Sequence, residues 1–159
     1  MSRLNFRYIG FFIVSLILQI YIVKYVEIAS WKPDLLLIAI VMFAIQYGQT
    51  AGSTAGFFLG MASDLISGGL LGLSALAKSI TGFTAGGVAK FFQERIQFVL
   101  TLLISGLLHD LIYIFINTLG KGILWRVIFF VHIVPNLFYT ALVGLAINFL
   151  IGKWLKGHE

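Results

Sequence analysis

Cysteine is absent from this chain of 159 residues, and charged side chains are scarce. Without cysteine the chain has no disulfide, no thiolate nucleophile and no cysteine metal site. Charged residues make up 11% of the sequence and hydrophobic residues 60%, against roughly 25% and 45–50% in soluble domains. A chain of this length buries only about 70% of its surface on folding. The excess apolar surface predicts an integral membrane protein without a soluble domain.

The positive charge, +5 overall, lies at the ends of apolar segments and not in one patch. This distribution indicates membrane topology and no binding to nucleic acid. Six basic residues lie in the N-terminus, the fourth connection and the C-terminal tail: Arg3, Arg7, Lys90, Arg95, Lys153 and Lys156. The first and fifth connections hold four: Lys24, Lys32, Lys121 and Arg126. Because basic loops stay in the cytoplasm, both termini are predicted to be cytoplasmic.

Six apolar segments are candidate spans, since about 20 apolar residues cross a bilayer, and the second of them is short for a full crossing. The first follows Arg3 and Arg7 and is longer than the apolar part of a signal peptide, which has about 7–15 residues. No small-residue cleavage site follows it, so we expect an uncleaved span. The pattern predicts an all-α, compact bundle of six transmembrane helices in a single domain over residues 1–159. Its spans are residues 8–26, 35–47, 51–67, 74–92, 96–119 and 125–151.

Glycines repeat every four residues from position 48 through the third span and beyond it. Asp64 takes the place of one glycine in this series. Positions four apart stay near one side of a helix over a few turns, and small residues at this spacing let two membrane helices approach closely. The repeat predicts a tight helix–helix contact made by Gly52, Gly56, Gly60, Asp64, Gly68 and Gly72.

Asp64 lies within an apolar span, where a carboxylate costs about 2.5–3.5 kcal/mol on insertion scales. A compensating partner is therefore expected. Lys78, in the next span, is a candidate for an ion pair with Asp64 inside the bundle. If Gly68 and Gly69 form a tight turn, both charges lie instead near the membrane edge. A packing or topology role and a role in binding both remain open for Asp64.

A second acid, Asp110, repeats at residues 106–112 the pattern Gly-x-x-x-Asp-Leu-Ile of residues 60–66. Two intramembrane acids suggest an aspartyl enzyme with a shared proton, but the local motifs of intramembrane aspartyl proteases and of lipoprotein signal peptidase are absent. We expect His109 and Asp110 to form a buried polar cluster with His132. Asn136 is a candidate interhelical hydrogen-bonding residue beside Pro135, which kinks the last span. Without a helical His-x-x-x-His pair, no metal is predicted, and neither is a cofactor or a catalytic residue.

Three motifs follow one another in residues 32–87. Pro33 and Asp34 open the second span as Pro-Asp-Leu-Leu, and Asp34 suits a helix N-terminus. A Gly-Phe-x-x-Gly-x-x-x-Asp core lies at residues 56–64, and a Gly-Gly-x-x-Gly turn at residues 68–72. In order and spacing these motifs resemble those of the rod shape-determining protein MreD family. The length, the six spans and the basic tail fit that resemblance over the whole chain.

The resemblance implies a scaffold or regulator, and no enzyme, in the bacterial cytoplasmic membrane. It implies that the chain binds the bitopic protein MreC. Through MreC the implied partners are MreB filaments and the elongation glycosyltransferase and transpeptidase of peptidoglycan synthesis, which set cell shape. It leaves a homo-oligomer open. The family is also similar in fold to the substrate-binding subunits of energy-coupling-factor transporters, so a vitamin-type substrate-binding subunit is the alternative function.

Overall fold

The computed structural model describes residues 6–26, 31–68, 70–120, 122 and 125–156. These residues form six helices, which confirms the all-helical prediction. α1 is Phe6–Tyr21, α2 is Leu35–Tyr47, α3 is Gln49–Ser67, α4 is Leu73–Val88 and α5 is Glu94–Asn117. α6 is one rod made of Trp125–Ile128, a π-helical segment Phe129–Ile133 and Val134–Lys156. Short 3₁₀ turns follow α1 at Val23–Tyr25 and α4 at Ala89–Phe91. Gly69, Lys121 and residues 1–5, 27–30, 123–124 and 157–159, which also enter the sequence predictions, lie outside the described residues.

The helices differ from the predicted spans at their ends. α2 coincides with the predicted residues 35–47, whereas α1 ends at Tyr21 and gives way to the 3₁₀ turn. α6 continues to Lys156, past the predicted end at residue 151. Gly152 is buried within this helix, where an added Cβ would lie 2.6 Å from Asn148 Oδ1 of the same helix and 3.8 Å from the Met42 side chain of α2.

Two helices of the described chain are long and apolar enough to cross a bilayer by length and composition: Glu94–Asn117 and Trp125–Leu155. α1 and α2 are apolar but shorter. The six predicted crossings therefore remain a prediction, although six helices occupy the six predicted segments.

α2 forms the centre of the bundle. Nine consecutive residues of this helix, from Leu36 to Ala44, are buried. A helix that is apolar on all sides is typical of a buried core helix. Tyr8 of α1 packs its ring against Phe43 of α2, and Leu102 of α5 belongs to the same buried core. The burial of α2 on all sides thus reflects a position surrounded by the other helices.

α3 and α4 pack with their backbones in close contact. A Cβ added to Gly60 would lie 2.5 Å from the Ala75 Cα, and one added to Gly52 would lie 2.6 Å from the Gly82 carbonyl oxygen. Both distances are too short for a real side chain, so only glycine permits this approach. The structure places Gly52, Gly56 and Gly60 on this contact, where Gly82 of α4 faces Gly52 and the backbone of Lys78 faces Gly56.

Gly68 and Gly72 do not belong to this contact. A Cβ at either position would have nothing within 4 Å, and their φ angles are +69° and +91°. Gly68 ends α3 in the left-handed conformation and Gly72 precedes α4, so both are turn residues. The prediction that they extend the helix contact is corrected here, because the four-residue repeat continues past the end of the helix at Ser67.

The two ends of the bundle are distinct. Arg7 at the start of α1 donates a hydrogen bond to the Trp154 carbonyl near the end of α6, at 2.7 Å. The end that holds this contact is called the terminal end. Successive helices run antiparallel, so α1, α3 and α5 finish at the opposite, distal end, where α2, α4 and α6 begin. Lys78, His109, Asp110 and Asn136 all lie toward the distal end.

Candidate functional site

A cavity of about 640 Å³ lies at the distal end of the bundle. It takes residues from α1, α3, α4, α5 and α6 and from the connection that leads into α2. Every polar residue that the sequence singled out in the fourth, fifth and sixth spans lines it, together with one residue of the Pro-Asp motif. These residues are Asp34, Lys78, His109, Asp110, His132 and Asn136. Their convergence makes this cavity the candidate functional site.

An ion pair between α2 and α4 forms one wall of the cavity. The Lys78 ammonium lies 2.6 Å from Asp34 Oδ2, and the two side chains are only 5% and 17% exposed. The other oxygen of Asp34 accepts the Leu37 backbone N–H at 2.9 Å and so caps α2. Pro33 directly precedes this cap and lies outside the helix. The partner of Lys78 is thus Asp34 and not Asp64.

His109 of α5 extends the pair into a chain of four groups. Its Nε2 lies 3.3 Å from the Lys78 ammonium, and its Nδ1 lies 3.0 Å from Asp110 Oδ1. An ammonium can only donate, so Nε2 accepts from Lys78 and Nδ1 carries the proton that it donates to Asp110. The geometry assigns a neutral imidazole between one cation and one carboxylate. Asp110 is therefore bonded to its neighbour His109, where the sequence suggested His132.

Side chains of α1 and α6 accept hydrogen bonds from the backbone of the connection before α2 and hold it against the cavity walls. Gln19 of α1 accepts the Leu35 N–H at 2.7 Å through Oε1, and Asn136 of α6 accepts the Lys32 N–H at 2.9 Å through Oδ1. Thr140 of α6 accepts the Asp34 N–H at 3.3 Å. Because each amide oxygen is fixed on a backbone N–H, the orientation of both amides is settled.

Trp31 bonds to α6 where proline interrupts its hydrogen-bond ladder. Pro135 has no N–H for the carbonyl of Val131, four residues earlier. The indole N–H of Trp31 donates to that carbonyl at 2.9 Å. The π-helical segment Phe129–Ile133 lies directly before the proline, and a local widening of this kind relieves the clash of the proline ring. The carbonyl that Pro135 leaves without its helical donor thus accepts from Trp31, a residue that lines the cavity.

Asp64 belongs to the α3–α4 turn next to the cavity. Its side chain is 3% exposed, and Oδ2 accepts the backbone N–H groups of Gly72, Ser74 and Ala75 at 2.9, 3.0 and 3.4 Å. A carboxylate at a helix N-terminus satisfies donors that have no partner within the helix and interacts favourably with the helix dipole. The compensation that a buried acid requires is therefore the N-terminus of α4.

Several polar groups of the cavity are left without a partner among the described residues. Asp110 uses one carboxylate oxygen on His109, and its other oxygen has no hydrogen bond there. The amide nitrogens of Gln19 and Asn136 are likewise free in the described chain.

Tyr113 stacks its ring on His109, at 5.9 Å between centroids. Within the described ranges no group of three His, Cys, Asp or Glu residues is arranged to hold a metal ion.

Sequence reasoning did not find Gln19, Trp31 and Thr140 as parts of the site. Gln19 lies near the end of α1, Trp31 lies within the connection that follows it, and Thr140 follows Asn136 by one helical turn. The spacing of Asn136 and Thr140 is a signal that was available, because positions four apart lie on one face of a helix. Which element that face meets is set by tertiary packing.

One comparison with known proteins identifies a family. The model of the family described as rod shape-determining protein MreD matches residues 3–157. No curated protein and no solved structure matches the chain. The match covers nearly the whole chain and confirms the resemblance drawn from the motifs.

Proposed function

Since the chain belongs to the rod shape-determining protein MreD family, we propose that it is a non-catalytic membrane scaffold of the bacterial cell-elongation complex. A role in rod shape determination follows from the family, which is a structural and shape-determining family and is typically membrane-associated. The proposed binding partner is an MreC-like bitopic protein. Through it the chain would reach MreB filaments and the glycosyltransferase and transpeptidase of peptidoglycan synthesis. The family match over residues 3–157 carries this proposal.

Exposed apolar side chains support a location in the cytoplasmic membrane. Large apolar residues are exposed along several helices, for example Ile13 at 55%, Phe138 at 60% and Phe149 at 86%. Soluble monomers rarely expose contiguous apolar surface beyond a few hundred Å². In a bilayer the same surface contacts lipid chains or the spans of a partner. The two long apolar helices α5 and α6 are consistent with this environment.

Basic residues give the proposed orientation. Arg7 and Lys153 lie at the terminal end, and the positive-inside rule assigns that end to the cytoplasm. The distal end, with its cavity, then faces the outer side of the membrane, where peptidoglycan is assembled. The cavity and the rim around Trp31 would therefore be available to the extracytoplasmic part of a partner.

Cysteine labelling tests this orientation, because the chain has no cysteine of its own and an introduced thiol is therefore its single labelling site. Asn117→Cys introduces a thiol at the distal end of α5 and Lys153→Cys one at the terminal end, at two exposed positions. In spheroplasts, a membrane-impermeant maleimide should label Asn117→Cys directly and Lys153→Cys only after permeabilisation. The reverse pattern would invert the proposed topology.

The three aspartates of the described chain are engaged in structural contacts, which supports a role without catalysis. Asp64 binds the N-terminus of α4, Asp34 caps α2 and pairs with Lys78, and Asp110 binds His109. An aspartyl enzyme needs two carboxylates that share a proton. In this arrangement each acid has a different set of partners.

Affinity purification tests the scaffold. The tagged full chain is extracted from native membranes with a mild detergent and its partners are identified by mass spectrometry, with an unrelated tagged six-helix protein as control. We expect enrichment of an MreC-like bitopic protein and of wall synthases, and rounding of rod-shaped cells on depletion. Normal rods after depletion, together with no enrichment over the control, would contradict the proposal.

The cavity favours a second candidate function, a vitamin-type substrate-binding subunit of a transporter. Its volume of about 640 Å³ lies within the range of roughly 300–1,000 Å³ for small-molecule sites. This function predicts a vitamin-sized compound in the organic extract of the purified protein and a transporter module among the co-purified proteins. Recovery of wall synthases without such a module decides for the scaffold.

A further inference from the structure

We propose that His109 is a proton-operated switch at the distal end of the bundle. Uptake of one proton by its ring breaks the hydrogen bond that joins α5 to Lys78 of α4, and loosens the contact of these two helices beside the cavity. The inference goes beyond the scaffold role and does not rest on it. It requires a fixed proton position in the neutral ring, a competing contact in the charged ring, and access of water to the site.

The hydrogen bonds of His109 fix the position of its proton. Nδ1 lies 3.0 Å from Asp110 Oδ1, and Nε2 lies 3.3 Å from the Lys78 ammonium. A carboxylate only accepts and an ammonium only donates, so both contacts are satisfied when Nδ1 carries the proton and Nε2 carries none. The neutral ring is therefore the state that matches this arrangement.

A charged ring loses the contact with Lys78. With a proton on each nitrogen the ring only donates, and Nε2 then places a second positive charge 3.3 Å from the ammonium. Like charges this close repel one another, and more strongly where water is scarce. The carboxylate oxygen within reach on this side is Asp34 Oδ2, which lies 3.9 Å from Nε2 and already accepts from Lys78 at 2.6 Å. His109 and Lys78 therefore compete for one oxygen.

Titratable groups from four parts of the chain face the ring or line the cavity with it. They are Lys78 of α4, Asp34 and Lys32 of the connection before α2, Asp110 and Tyr113 of α5, and His132 of α6. Asp34, Lys78 and Asp110 are the three for which the distances to a ring nitrogen are given above. The two carboxylates favour the charged ring and the ammonium opposes it. Proton uptake is therefore not excluded by charge, and its consequence is a change of hydrogen-bonding partners.

Water in the cavity has access to this pair of residues. His109 and Asp110 both line the cavity, and the Asp110 side chain is 14% exposed. Its second oxygen has no partner in the described chain. A proton can therefore reach the ring from the distal side without passing through the apolar core.

The competition for Asp34 acts on three helices. Asp34 Oδ1 caps α2 by accepting the Leu37 N–H at 2.9 Å, so a shift of this carboxylate toward His109 disturbs the cap. A shift of Lys78 instead separates α4 from α5. A Cβ added to Gly56 would lie 2.6 Å from the Lys78 carbonyl carbon, so α3 and α4 are held together and move as a unit.

Nitrogen-15 NMR of the histidine-labelled full chain in nanodiscs tests the position of the proton. The chain has three histidines, and a variant with His132→Gln and His158→Gln keeps His109 alone. Spectra are recorded at about pH 8 and pH 5, between which histidine ordinarily changes its charge. We expect the proton on Nδ1 at the higher pH and on both nitrogens at the lower pH. A proton on Nε2 at the higher pH, or a neutral ring at the lower pH, would overturn the proposal.

Spin labels test the movement of the helices. Leu76→Cys on α4 and Asn117→Cys on α5 give two exposed labelling sites in a chain without cysteine. Double electron–electron resonance should show a change of at least about 1–2 Å between the two pH values, the usual size of a helix shift. The pair Leu76→Cys and Phe58→Cys spans the glycine contact of α3 and α4, and its distance should stay constant.

Two glutamine substitutions separate the switch from other effects of pH. His109→Gln stays neutral and has an amide that can donate to Asp110 and accept from Lys78, so the distance between α4 and α5 should keep its higher-pH value throughout. His132→Gln, at the other histidine of the cavity, should respond as the native chain does. An unchanged distance in the native chain, or an equal change in His109→Gln, would overturn the switch, whatever partners the chain recovers from membranes.

Discussion

The Lys78 ammonium lies 2.6 Å from Asp34 Oδ2 and 3.3 Å from His109 Nε2. One side chain of α4 therefore joins the N-terminus of α2 to the middle of α5. Lys78 itself is 4% exposed, so its positive charge is compensated by these partners and not by bulk water. The position of α4 that allows this contact is set by the glycine contact with α3.

The ion pair gives the first prediction, on stability. Removing one partner of a buried pair strands the other charge and typically costs about 3–5 kcal/mol, whereas removing both costs much less. We expect Lys78→Met to lower the unfolding free energy strongly and Lys78→Met with Asp34→Asn to recover most of the loss, because asparagine still caps α2. Thermal unfolding of the detergent-solubilised proteins measures both.

Lys90→Met is the matched control for this comparison, since Lys90 is exposed at the terminal end of the bundle. Its melting temperature should stay close to that of the native chain. If the double variant were no more stable than Lys78→Met alone, the ion pair with Asp34 would not be what holds Lys78 in its buried position.

Close packing at Gly56 gives the second prediction. A Cβ on Gly56 would lie 2.6 Å from the Lys78 carbonyl carbon, so Gly56→Ala must push α4 away from α3. Overpacking of this kind costs about 1–3 kcal/mol. Gly10→Ala is the control, because this exposed helical glycine has nothing within 4 Å of its added Cβ. It should be neutral or stabilising by up to about 1 kcal/mol. Equal melting temperatures of the two variants would contradict the close contact.

The cap of α4 gives the third prediction. Asp64→Ala leaves the N–H groups of Gly72, Ser74 and Ala75 without their acceptor, and we expect a loss of about 2 kcal/mol. Asp64→Asn retains an acceptor oxygen but loses the charge at the helix N-terminus, and should cost about half as much. Glu94→Gln controls for removal of an exposed carboxylate. For both Asp64 variants, the amount of partner protein that co-purifies should decrease only in proportion to the amount of folded chain. If Asp64→Asn destabilised as much as Asp64→Ala, charge and not hydrogen bonding would dominate.

Local patterns in the sequence predicted the parts of the structure that depend on local geometry. The bounds of α2 and the cap at Asp34 follow from an apolar run and from a residue suited to a helix N-terminus. The partner of Lys78 did not follow, because Asp34 lies 44 positions away and the contact depends on which helices are neighbours. Gly68 and Gly72 show a different limit: a period of four continues across a helix end that changes the role of each glycine.

The bond between Trp31 and Val131 gives the last prediction, a coupling with Pro135. Trp31→Phe removes the indole donor at 2.9 Å from the Val131 carbonyl and should cost about 1 kcal/mol. In a Pro135→Ala background the new backbone N–H can donate to that carbonyl and the π-helical segment can close to an α-helix. Trp31→Phe should then be nearly neutral. A double-mutant cycle on unfolding free energies measures this coupling. Trp125→Phe, at the distal start of α6, should give the same change in both backgrounds. Additive effects of Trp31→Phe and Pro135→Ala would mean that the indole does not replace the donor that proline lacks.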